Sequence, residues 1–357
     1  MRRHIAVLAL LSPIGLASPT TAAAQQPQQF TVSERQIEIF DAAGTVTLRR
    51  GTGSDIVISA TRSGPDGDGL SFAMDHAGAK AVFRVVFPVD RIERIAEPGD
   101  RRGGRTELRL RADGTFGGDR NGLFGHRGTE ITIGGSSGFR GWGDLEIAVP
   151  EGREVRVHLA AGRATLDGVS GDYTLDTWGA DVDATDITGQ YLFDTGSGDV
   201  AVHGARGTLR LDTGSGSCRL ERVTGDLLDV DTGSGDAVAA DVTMARSRFD
   251  TGSGDVTLRS FRSGHTVIDT GSGAADLEFG EGPIDDLSID TGSGDVRLTL
   301  PRTLDARLTI DPGSGDVQVP RGDAQVERWG HDRIVLRFGE GRGRITIDSG
   351  SGGVTIR

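Results

Sequence analysis

One phrase, Asp194-Thr-Gly-Ser-Gly-Asp199, limits what this chain can fold into more than any other feature. Asp-Thr-Gly-Ser-Gly returns at Asp212, Asp231, Asp250, Asp269 and Asp290, a variant with Pro312 begins at Asp311, and Asp348-Ser-Gly-Ser-Gly352 ends the series. Upstream, Asp176-Thr-Trp-Gly-Ala-Asp181 fits the same frame. The leading aspartates are 18, 18, 19, 19, 19, 21 and 21 residues apart, and the last step is 37. A period near 20 residues predicts a solenoid, in which each unit buries its apolar face only by stacking on its neighbours.

The flanking residues predict strand, turn, strand. Leu209/Leu211, Leu287/Ile289 and Leu308/Ile310 alternate with polar residues before the corner, as Val200/Val202, Val256/Leu258 and Val296/Leu298 do after it. That period of two buries one face. Ile187, Val223, Val242 and Phe261 mark a third inward position. Units running in one direction predict parallel strands about 4.8 Å apart. The expected fold is therefore all-β: a single-stranded parallel β-helix, or β-solenoid, of roughly 18–21 residues per rung with irregular capping rungs at both ends. Glycine is 56 of 357 residues, and the expected cause is the positive φ of tight corners.

The order along the chain divides as follows. Residues 1–24 read as a secretory signal peptide, with Arg2-Arg3-His4, an apolar stretch from Ile5 to Leu16, and Ala22-Ala-Ala24 as cleavage site. Residues 25–90 read as N-terminal β rungs, with Arg50-Gly-Thr-Gly-Ser-Asp55 as a degenerate corner. Residues 91–143 form an Arg/Gly-rich hairpin or loop excursion with strands at Leu108/Leu110 and Ile131/Ile133 and aromatic residues Phe116 and Phe124. Its arginines (Arg101, Arg102, Arg120 and Arg127 among them) and its aromatics make it the best candidate for a specific contact. Residues 144–357 form the regular solenoid and its C-terminal cap, with an irregular or double rung in the 37-residue gap. Turns of the type Pro-x-Gly are expected at Pro150 and Pro320.

Loss of Arg2 and Arg3 on export takes the net charge from −13 to −15. An acidic surface argues against nucleic acid or anionic membrane as the general partner. No later stretch approaches the roughly 18 apolar residues a membrane span needs. Cys218, the sole cysteine, falls at an inward position and reads as a small core residue.

The export signal, the opening Ile37-Glu-Ile-Phe-Asp-Ala-Ala-Gly-Thr-Val-Thr-Leu48, the turn Val149-Pro-Glu-Gly152 and the repeated Thr-Gly-Ser-Gly-Asp-Val resemble the bacterial putative-adhesin family of exported β-solenoids. The resemblance covers roughly 30–357 apart from the excursion. It implies an envelope or surface role, periplasmic or extracellular, with a protein or glycan partner, and supplies no catalytic residues.

Two chemistries compete for the ladder. Asp-Thr-Gly is an aspartic-protease phrase, but that enzyme needs two facing copies sharing a proton, whereas these copies stack along one edge. Gly-Ser-Gly-Asp-Val resembles part of a calcium-binding nonapeptide. Against it stand the doubled period and the missing second aspartate at Ser217, Ala274 and Gly353. Hydrogen bonds from each leading Asp to its own turn amides are the preferred expectation. A threonine file from Thr195 to Thr291 is turned inward by parity. His76, His126, His158, His203, His265 and His331 lack metal-ligand spacing, and only His203 and Arg219 share an outward file. No catalytic, cofactor or metal residue is assigned and no cofactor is expected. The reading is a non-enzymatic adhesin-like or envelope-scaffold protein, with a calcium-stabilised repeat protein or a polysaccharide-active β-helix enzyme as alternatives.

Overall fold

The computed structural model describes residues 26–96, 105–117, 128–319, 322 and 324–357. The expected signal peptide, Phe124, His126, Arg101, Arg102, Arg120, Arg127 and the Pro320-Arg321 turn lie outside these residues. The described chain is almost all strand, gathered in one sheet system of 23 strands and a second sheet of three.

One rung shows how the sequence makes the coil. In Val200–Thr213, Val200 and Val202 point inward, the chain bends at Gly204, and Ala205 points in again. After a second bend at Gly207, Leu209, Leu211 and Thr213 are inward, and Gly214 to Ser217 turn the corner into the next rung. Every residue of this rung except Gly204, at the bend, pairs in parallel with one in Cys218–Thr232. The third inward position is occupied as the sequence predicts, by Ile187, Val223, Val242 and Phe261, all buried.

Rung length varies without disturbing the corners. Gly207 pairs with Gly225 but Thr208 with Leu227, so Asp226 bulges out and the step grows from 18 to 19 residues. Later, Phe261 pairs with Phe279 while His265 pairs with Asp286. The surplus there sits in residues 280–285, again away from the corner. Surplus residues leave the stack where the outer bend faces solvent, and the buried columns keep their register.

Spatial order departs from chain order at both ends. Asp286–Thr291 pairs with Gly343–Ser349, which pairs in turn with Ala306–Asp311. The last rung of the chain is thus inserted between two earlier ones, and the 37-residue gap holds an antiparallel hairpin, Gln325–Trp329 with Ile334–Arg337, packed beyond Ala306–Asp311. At the other end Gln36–Arg50 lies between Arg153–Asp167 on one side and Lys80–Val86 plus Trp142–Val149 on the other. Antiparallel strands close this end: Ser71–Ala77 on Lys80–Val86, and Ile56–Ser63 followed by Gln28–Val32 on Trp142–Val149. Reversed strands end the parallel repeat, as capping units do in stacked folds.

The degenerate corner expected at Arg50–Asp55 is corrected. The corner of that rung is Asp41-Ala-Ala-Gly44, in register with Leu159 to Gly162, while residues 51–55 carry the chain across to an antiparallel strand. The excursion contains the paired strands Thr106–Leu110 and Thr129–Ile133, with Arg94–Ile95 beside them. Phe116 is not an exposed contact residue. It is buried against Phe40 and Trp178, with ring centroids 5.8 and 5.1 Å apart, and so fastens the excursion to the solenoid.

Candidate functional site: the acidic corner file

Parity turns the leading aspartates outward, and stacking sets them side by side. The file runs Asp176, Asp194, Asp212, Asp231, Asp250, Asp269, Asp290, Asp348 and Asp311, each in register with the next. At the parallel-strand spacing, two neighbouring carboxylates repel by about 0.9 kcal/mol in water before salt screening. Burial and the two flanking carboxylates raise Asp194 above its ordinary range, and the same causes raise Asp290. Asp231 is also raised, by burial and then by Asp250 and Asp212, against the opposing pull of Arg248.

Cations meet the file at three places. His158 Nδ1 lies 3.1 Å from Asp176, Arg248 reaches Asp231 and Asp250 at 4.0 and 2.5 Å, and Arg333 Nε donates to Asp311 at 2.7 Å. Among the described residues, no cation pairs with Asp194, Asp212, Asp269, Asp290 or Asp348. His158 is itself held on both nitrogens, its Nε2 lying 3.0 Å from Glu38, with the ring stacked on Phe40. Burial alone would lower this histidine, but the hydrogen bonds to Asp176 and Glu38 outweigh it and raise it. Glu38, bonded to His158 and then to Lys80, is held down at about 2.

The expectation that each leading Asp caps its own turn is overturned. The threonine beside it does that work. The hydroxyls of Thr195, Thr213, Thr232 and Thr251 donate to the carbonyls of Gly198, Gly216, Gly235 and Gly254 at 2.9, 2.6, 2.8 and 2.6 Å. Thr177, Thr270, Thr291 and Ser349 repeat the bond. The aspartate after the glycines serves the next rung: Asp199 accepts from Ser217 N at 2.8 Å, Asp236 from Asp255 N at 3.0 Å, and Asp255 from Ala274 N at 2.7 Å. Ser217 fills the role with its hydroxyl at 3.3 Å. The leading Asp is left for solvent or a partner because the other polar side chains satisfy the corner backbone.

Glycine at the corner is also explained differently from the sequence expectation. A Cβ on Gly216 would sit 2.0 Å from the carbonyl oxygen of Gly198, and one on Gly254 would sit 1.8 Å from that of Gly235. Close stacking of successive corners demands glycine there. Positive φ recurs rung after rung at the Gly204 bend, where Gly168, Asp186, Gly204, Arg222, Asp241 and Ser260 fall in one file, and at the corners it is found at Gly162 and Gly313.

The remaining candidates do not assemble a reactive centre. His203 is in register with Glu221, 3.2 Å from its carboxylate, whereas Arg219 is in register with Ala201. Cys218 is buried and its thiol is pushed up to about 12 by burial. The concavities are shallow surface grooves: one of about 330 Å³ at the Gly204 bend is lined by Asp186, Arg206, Arg222 and Asp241. Among the described residues, no group of three or more His, Cys, Asp or Glu side chains is placed to hold a metal ion. No helix among them is long and apolar enough to cross a membrane.

The architecture and the file define an all-β solenoid with one exposed acidic edge. Residues 194–357 match the model of the Toastrack DUF4097 family. No curated protein matches the sequence. Among solved structures, the chain is similar to a putative cell adhesion protein from Clostridium sporogenes at 9% identity, with 93% of this chain and 99% of that one covered. The TM-score is 0.18, too low a superposition for an argument about this chain.

Proposed function

We propose that this protein is an exported, non-enzymatic β-solenoid that acts in the cell envelope or at the cell surface by presenting a stiff acidic edge to a protein or glycan. The observation that carries this reading is the exposed aspartate file, of which Asp194, Asp212, Asp269, Asp290 and Asp348 have no cation partner among the described residues. One exposed carboxylate contributes little to binding, but a row at fixed spacing engages a repetitive partner many times over. Export rests on the basic, apolar and small-residue segments of residues 1–24.

A calcium-stabilised repeat is the second reading, favoured by the upward shift of three crowded carboxylates, which an oxygen-seeking cation would relieve. Sedimentation with envelope fractions tests the first reading. Replacing Asp194, Asp212, Asp269 and Asp290 by Asn should reduce co-sedimentation while leaving the circular dichroism unchanged. Equal co-sedimentation of both forms contradicts the acidic edge as the contact. Sequencing of the recovered protein should begin after Ala24, and an intact Met1 on all of it contradicts cleavage of the leader.

A further inference from the structure

The two ends of the stack are finished differently. Two inward columns run through the core, and near the C-terminal end both are apolar: one passes through Ile345, Leu308 and Leu336, the other through Ile347, Ile310 and Ile334. The outermost strand, Gln325–Trp329, continues both, because Val326 is in register with Leu336 and Trp329 with Ile334. A bulge between Val326 and Arg328 brings both apolar residues into line. Yet Val326 is 60% and Trp329 59% exposed, the largest values among the big apolar side chains described. Among the described residues the strand pairs on one edge only. At the opposite end one column finishes on Met74, in register with Phe83, and the other on Ala81 and His76; Phe72 and Met74 are half-buried there, and Phe30, Phe72 and Phe83 pack with centroids 5.1 to 6.3 Å apart.

An open apolar edge strand is a template for another strand. The sequence of this one, Val326-Glu-Arg-Trp329, is complementary to itself when reversed. Antiparallel pairing with a copy sets Val326 against the copy's Trp329 and Glu327 against its Arg328. Cross-strand apolar pairs and opposite charges both favour that register. We propose that this strand pairs with its counterpart in a second copy of the chain, giving a two-fold dimer joined at the C-terminal ends of two solenoids. The interface is isologous and closes at two copies. It joins two sheet systems into one and buries the apolar columns that each copy leaves exposed. Within one copy Glu327 already contacts Arg307 and Arg337, and Arg328 contacts Asp332, so the intermolecular charge pair shares partners and serves register more than strength.

Light scattering coupled to size exclusion, run on the mature chain over a range of concentrations, reads the mass. Twice the chain mass is expected, falling to one chain in Val326→Lys/Trp329→Lys with unchanged circular dichroism. Glu327→Arg alone should weaken the dimer, and adding Arg328→Glu to it should restore the dimer, which a merely structural role for either residue would not do. A single-chain mass at the highest soluble concentration overturns the proposal. So does a dimer that survives the double lysine change, or a mass that keeps growing with concentration as head-to-tail stacking requires.

Discussion

Asp290 lies in register beside Asp348, and not beside Asp311, its successor in the chain. The C-terminal residues are therefore an interior layer of the stack. The Asp290 rung and the Asp311 rung both depend on them for edge hydrogen bonds and for the burial of Leu287, Ile289, Leu308 and Ile310.

Removal of residues 343–357 should accordingly disturb more than the terminus. Hydrogen exchange is predicted to lose protection in 286–291 and 306–311 together. Retention of protection in both segments would mean that they pair directly. Within the layer, Ile347→Ala should cost about 2–5 kcal/mol in denaturant unfolding, as large-to-small changes at buried sites do; Ile347 is fully buried.

The threonine file gives a second test. Thr232→Val keeps the shape and removes the hydroxyl that serves the Gly235 carbonyl at 2.8 Å. A buried acceptor left unmet costs about 1–3 kcal/mol, and Thr232→Ser should recover most of it. A valine variant with an unchanged urea midpoint would show that another donor satisfies the carbonyl.

Much of this was legible in the sequence, and the reason is the repeat. Period-two alternation identified the inward Leu209/Leu211 and the outward Asp212, and the stepwise recurrence of the phrase identified rungs. The exchange of the last two rungs was not legible, since Asp290, Asp348 and Asp311 head corners that fit one another in any order. The roles at the corner were also hidden. Thr, the leading Asp and the following Asp recur with nearly equal regularity, and only coordinates show which oxygen meets which amide. Asp226 gave no sign that it would bulge, because the extra residue of a 19-residue rung has no fixed address in the pattern.

Asp41 occupies the inward corner position that Thr177 holds two rungs further along. It is fully buried, with Oδ1 accepting from Ala43 N at 3.1 Å and Oδ2 without a partner among the described residues. Burial, and to a lesser degree Asp144, raises it well above the usual carboxylate range. A raised carboxyl favours the fold while it is protonated, and that contribution is lost as pH rises through its folded value. Asp41→Asn should therefore match or exceed the wild type at neutral pH, with the gap widening toward alkaline pH and closing below the ordinary Asp range. A variant weaker at every pH would show that the ionised form is the one the fold requires.

Glu38 has the opposite sign. Its folded value of about 2 lies below the ordinary range, so its contribution is present above about pH 4.3 and lost as pH falls toward 2. Glu38→Gln should lower stability at neutral pH and converge with the wild type in acid. Parallel stability curves for the two proteins down to that pH would remove Glu38 from the account.

Charge crowding in the exposed file predicts a stabilising substitution. Asp231→Asn should add a few tenths of a kcal/mol at low salt, discounted for its exposure, and the gain should shrink as salt screens the file. Loss of stability at low salt would show that Arg248, which faces Asp229, Asp231 and Asp250, already compensates the repulsion.

Cysteine cross-linking reads the stacking of the corners most directly. A disulfide needs Cα atoms about 4.4–6.8 Å apart, a range met by adjacent parallel rungs at about 4.8 Å but not by rungs two apart. In a Cys218→Ser background, Asp290→Cys/Asp348→Cys should oxidise rapidly within one chain, while Asp290→Cys/Asp311→Cys should not. Efficient closure of the second pair and failure of the first would contradict the order of the rungs and the file of aspartates built on it.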